Sequence, residues 1–149
     1  MTDAHARTLA GILDHVIPPS ADGRLPGAGA LGMAAQVVEA MRRAPEMDLA
    51  VLPALDDAES QARQRHGCAF VELSPEQQRA LVRGLENAHP ALIPTLAFHV
   101  YVAYYQHPRV IAALGLEARP PHPRGYEMAP NDLGLLDPVR RRGKLYRDA

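Results

Sequence analysis

Residues 104–126 read YYQHPRVIAALGLEARPPHPRGY, and the prolines of that stretch limit what the chain can become. Pro108, Pro120, Pro121 and Pro123 each fix φ and remove an amide donor, so backbone beyond Gly115 is expected to be extended or polyproline II. Such a ribbon makes no hydrogen bonds within itself and gains order only by lying on a surface. Its flanking tyrosines, Tyr104, Tyr105 and Tyr126, are then candidate anchors.

Upstream, the apolar spacing is helical. Leu9, Ile12, Leu13 and Val16 follow the i, i+3, i+4, i+7 pattern, with Asp3 placed to cap the helix and Pro18-Pro19 to end it. Residues 20–32, with Pro26 and glycines at 23, 27, 29 and 32, suit an ordered surface loop. A second helix is expected over residues 33–43, with Val37, Val38 and Met41 inward, and a third over residues 47–66, with Leu52, Leu55 and Ala62 inward and Gly67 at its end. Ser74-Pro75-Glu76-Gln77 carries a helix-start signature: the Ser caps, Pro occupies the first helical position, and Gln77 reaches back to the cap amide. Leu81, Val82 and Leu85 face inward in that helix. The next runs from Pro90 or Pro94 to about Gln106 and is apolar nearly all round, which predicts a central helix. A short one follows, from Arg109 to Leu114, opened by Pro108 and closed by Gly115.

The fold class is therefore all-α: an irregular bundle of five or six helices in residues 1–115, then an extended proline-rich C-terminal arm, residues 116–149. Composition and charge mark the arm as disordered or partner-wrapping. It keeps many apolar anchors for a solvated tail, Leu133, Leu135, Leu136 and Val139 among them, beside a cluster of arginines, and a tail that orders on another subunit explains both.

A chain of 149 residues can bury about 68–70% of its unfolded surface without staples. With 16 Lys+Arg against 17 Asp+Glu, no net field directs it to nucleic acid or an anionic membrane. Cys68 is the single cysteine, which excludes an internal disulfide and every Cys-x-x-Cys site, c-type haem attachment included. The apolar run 91–105 is broken by Pro94, Thr95 and His99 and falls short of the roughly 18 residues a membrane span needs. The first residues lack a basic region before an apolar stretch, so they do not read as an export signal. A cytoplasmic location is expected, or a periplasmic one if the chain travels with an exported partner or a leader precedes this sequence.

No constellation reads as catalytic. The seven histidines lack the i, i+4 spacing of a zinc-binding helix. Cys68 lies in a short loop without a catalytic signature, and Asp56, Asp57 and Glu59 read as a solvated helix face. The Gly27, Gly29, Gly32 spacing matches a phosphate fingerprint only formally, because no strand precedes it. Tyr101, Tyr104 and Tyr105 share spacing on one helix, and both core packing and a partner surface fit them.

The paired Tyr104-Tyr105, the polar turn with Pro108, the helix ending in Leu114-Gly115 and the proline-rich segment closing on Gly125-Tyr126 together resemble the small subunit of gluconate 2-dehydrogenase, subunit 3. LDHVIPP at residues 13–19, RHG at 65–67 and FVELSPEQ at 70–77 agree in order and spacing, so the resemblance covers roughly residues 8–126. It implies a non-catalytic subunit that binds, stabilises and matures a glucose-methanol-choline type dehydrogenase acting on a sugar or polyol. FAD would sit in that large partner and not in this chain, and a cytochrome c subunit can complete such complexes. Many relatives look like carriers of a twin-arginine leader, from which this N-terminus departs. Tyr104, Tyr105, His107, Pro108, Pro121, Pro123, Arg124, Gly125 and Tyr126 are the residues assigned to assembly and not to turnover. The alternatives are a stand-alone helical metal- or ligand-binding protein built around His99, His107 and the tyrosines, or an interaction module without a dehydrogenase partner.

Overall fold

The computed structural model describes residues 1–119, 122, 123, 125, 127 and 129–142, and these contain seven α-helices and no strand. Pro121, Arg124 and Tyr126 lie outside the described residues. The chain divides into two compact units, Met1–Ala118 and Arg119–Ala149.

The first unit holds six helices: α1 (Asp3–Val16), α2 (Met33–Arg43), α3 (Asp48–His66), α4 (Pro75–Ala88), α5 (Leu92–Gln106) and α6 (Pro108–Ala113). Its core draws Leu9, Ile12 and Leu13 from α1, Met33 and Val37 from α2, Val51 and Leu55 from α3, Leu81 and Leu85 from α4, and Leu92, Leu96 and Val100 from α5. Each fully buried side chain of this size contributes about 1.5–3 kcal/mol. Helix α5 packs chiefly on α2 and also touches α1, α3 and α4.

Local chemistry sets the helix ends. Thr2, not Asp3, caps α1: Thr2 keeps extended backbone and its hydroxyl accepts from the His5 amide at 3.2 Å, whereas Asp3 is already helical. There Asp3 faces the positive end of the helix dipole. A 3-10 turn, Pro45–Met47, precedes α3, which starts one residue later than expected. The box at the start of α4 is complete, with Gln77 N donating to Ser74 Oγ at 3.3 Å and Ser74 N donating to Gln77 Oε1 at 2.9 Å. Pro94 falls in the first turn of α5, where its missing amide costs nothing. Helix α6 closes with Leu116 N donating to Ile111 O and Gly115 N to Ala112 O, and Gly115 takes the φ of 78° that this closure requires.

Two expectations about surfaces are corrected. The acids of α3 are not a merely solvated face: Asp56 pairs with His5 at 2.9 Å, Asp57 with His89 at 3.2 Å, and Glu59 accepts from the buried Thr8 hydroxyl. They tie α3 to α1 and to the end of α4. The glycine loop is also only half on the surface, since Gly27 and Ala28 are buried. A Cβ at Gly27 would meet the Asp14 carboxylate, and one at Gly29 the Ala10 carbonyl, so glycine here permits close approach to α1.

In the second unit, a 3-10 turn, Leu133–Leu136, leads into a short helix, α7 (Asp137–Arg140), where the prolines suggested no helical backbone. The Asp132 carboxylate accepts from Gly134 N at 3.0 Å, and Pro138 sits in the first turn of α7, where a proline is tolerated. None of its described residues is buried.

Candidate partner-binding surface

Helix α5 has two apolar faces. Leu92, Leu96, Val100 and Tyr104, spaced four apart, are buried. Phe98, Tyr101, Val102 and Tyr105, spaced i, i+3, i+4, i+7 on the opposite side, are 68%, 45%, 49% and 50% exposed. The helix packs against α1, α2, α3, α4 and α6, as a central helix would, yet its apolarity is not covered all round: one face closes the core and the other is bare. Between Leu92 and Gln106 it carries no acid, lysine or arginine, so nothing charged interrupts the bare face.

Tyr104 belongs to the buried face. Its hydroxyl donates to Pro26 O at 2.7 Å, joining α5 to the glycine loop, and burial pushes its phenol pKa above 10. At 1% exposure Tyr104 works inside the domain and offers no surface to a partner here, against its assignment from sequence. Tyr105 stands on the buried Tyr104 ring edge-on, with centroids 5.3 Å apart, and stacks on Tyr101 at 6.0 Å with the planes 10° apart. Phe98 meets His99 edge-on at 5.1 Å. Rings braced in this way lose little freedom on binding, which favours an anchor role.

Beside this face runs an open groove of about 520 Å³ between α2 and the α5–α6 corner. Met33, Ala40 and Val102 supply apolar wall, while Arg43, His99 and His107 supply polar atoms. His107 does local work as well. Its Nδ1 accepts from Arg109 N at 3.3 Å and caps α6, and its extended backbone suits the residue before Pro108. Of the residues assigned from sequence, His107 and Pro108 line this groove, and Tyr105 stands on the bare face of α5. Pro123 and Gly125 are exposed in the second unit, and Gly125 takes a φ of 64°.

Sequence reasoning left out Phe98 and Val102 and grouped Tyr101 with Tyr104, whereas the structure exposes Tyr101 and buries Tyr104. The signal for the exposed set was present, since two helical apolar patterns interleave in one helix and the domain covers only one of them.

A second cleft, about 710 Å³, lies between α1 and α4, with His15, Gln78, Arg79 and Arg83 in its wall. Burial lowers the His15 pKa below 6.5 and Arg79 adds to that, against the opposing pull of Gln78 and Asp14. Among the described residues no group of three or more His, Cys, Asp or Glu is placed to hold a metal, and no helix is long and apolar enough to cross a membrane. The glycine loop turns its amides inward. Gly29 N donates to Asp14 Oδ1 at 2.8 Å and Ala30 N to the same oxygen at 3.3 Å, so these two donors already serve a carboxylate of the chain itself.

The first unit is thus a small all-α domain that carries a bare aromatic helix face beside an open groove. The model of the gluconate 2-dehydrogenase subunit 3 family matches residues 3–118, nearly all of the first unit, and the chain belongs to that family. No individual curated protein and no solved structure matches it.

Proposed function

We propose that this chain is the non-catalytic small subunit of a FAD-dependent, glucose-methanol-choline type dehydrogenase acting on a sugar or polyol, which it binds, stabilises and helps to mature. Family membership supplies the dehydrogenase complex. The observation that carries the binding role is the uncovered face of α5, where Phe98, Tyr101, Val102 and Tyr105 form a braced apolar surface. In this reading the large subunit covers that face, FAD belongs to the large subunit, and a cytochrome c subunit is a further possible member. The groove beside α5 would take a side chain or loop of the partner.

Co-expression with a glucose-methanol-choline type dehydrogenase subunit from the same source tests the reading. The expected outcome is co-purification of a yellow complex with flavin absorbance and a lower yield of soluble flavoprotein without this chain. A monodisperse chain that never associates with a flavoprotein would sink it.

A second reading, a stand-alone ligand- or metal-binding protein, draws on His99 and His107 lining the same groove. Titration of the purified chain with zinc and with small polyols separates the two, because only the second reading requires saturable binding without a partner.

A further inference from the structure

We infer that residues 133–142 form a clip that seats itself in an apolar groove of the dehydrogenase partner, with carboxylates on the groove's rim. This rests on the subunit reading above. Within seven residues, Leu133, Leu135, Leu136 and Val139 expose 58%, 75%, 45% and 58% of their surface. They are not the core of a small second domain, because no described residue of that unit is buried. Four large apolar side chains held in water this close together call for a cover.

The segment is shaped before it binds. Asp132 caps the 3-10 turn through Gly134 N, Pro138 fixes the first turn of α7, and Arg140 pairs with Asp137 at 3.3 Å. Local order of this kind lowers the entropy lost on docking. Charge then selects the rim. Arg140, Arg141 and Arg142 follow the apolar set directly, and Asp137 balances one of them, so the complementary surface is acidic where the chain leaves the groove. The clip also lies beyond residues 3–118, the part the family shares. Its contacts therefore discriminate this chain's own partner from related dehydrogenases, whereas the α5 face serves the shared mode of association.

The test uses the full chain co-expressed with the flavoprotein subunit, comparing wild type, L135D/L136D and R140E/R141E/R142E, with circular dichroism and thermal melts on each chain alone. The helical signal and melting temperature are expected to stay at wild-type values. L135D/L136D should weaken flavoprotein capture by about tenfold or more, as loss of buried anchors does. The arginine reversal should weaken it too and flatten its dependence on salt, since the lost attraction is the screened part. A wild-type chain that captures no flavoprotein overturns the subunit reading and the clip with it. Capture by L135D/L136D equal to wild type overturns the clip alone, as does loss of binding to phosphatidylglycerol vesicles by that variant with flavoprotein capture intact, which would assign the leucines to a lipid surface.

Discussion

The two faces of α5 are built from the same kind of residue and have opposite fates. Leu92, Leu96, Val100 and Tyr104 vanish into the core, while Phe98, Tyr101, Val102 and Tyr105 meet solvent. Hydrophobicity alone does not separate them. Neighbours do: α1, α2, α3 and α4 pack on the helix, while Phe98, Tyr101, Val102 and Tyr105 keep 45–68% of their surface exposed. The buried face should govern whether the chain folds, and the bare face whether it associates.

The largest break in that contrast is a cavity. Leu96 is fully buried, so Leu96→Ala should lower stability by about 2–5 kcal/mol, the cost of lost burial plus an unfilled hole. Urea unfolding of the isolated chain reads it directly. Tyr104→Phe comes next, at about 1–3 kcal/mol, because it strips the Pro26 carbonyl of its partner. The same residue gives a pH signature. Its folded pKa lies above 10, so below that pH the phenol is neutral in both states and its contribution is intact. Above pH 10 the unfolded chain ionises first, and stability falls as pH rises toward the folded value. Wild type should lose more stability than Tyr104→Phe between pH 9 and pH 11, and parallel losses would show that the hydroxyl is not the sensitive group. Ser74→Ala, remote from α5, should cost about 1 kcal/mol by removing the cap of α4.

Why some of this was readable and some was not follows from where the information sits. The α4 start was legible because Ser74, Pro75 and Gln77 act within four residues of one another. Helix α2 was bounded correctly for the same reason, with a glycine before it and Ala44-Pro45 after it. Tyr104 to Pro26, Asp14 to Gly29 and Thr8 to Glu59 span long stretches of chain, and no spacing rule announces them. The glycine loop was read as surface because glycine and proline mark turns, whereas here Gly27 and Gly29 let backbone press on α1. Helix α5 misled for a subtler reason. All-round apolarity predicts cover on every side, whereas here Phe98, Tyr101, Val102 and Tyr105 stay exposed while the opposite face is buried.

That last point gives the smallest expected effect on folding and the sharpest one on association. Phe98→Ser/Tyr105→Ser removes two exposed rings, one of them braced by Tyr101 and Tyr104, without opening a core cavity. Exposed substitutions of this kind usually shift stability by no more than about 0.5 kcal/mol each. The unfolding midpoint should therefore stay near wild type while Leu96→Ala lowers it. Flavoprotein capture should respond in the reverse order. The surface double variant should lose binding by about tenfold or more if the rings are anchors, and Leu96→Ala should bind normally wherever it remains folded. If both variants lose stability together, the two faces of α5 are one cooperative core after all. If neither changes capture, the partner covers another surface and the bare face of α5 needs a different occupant.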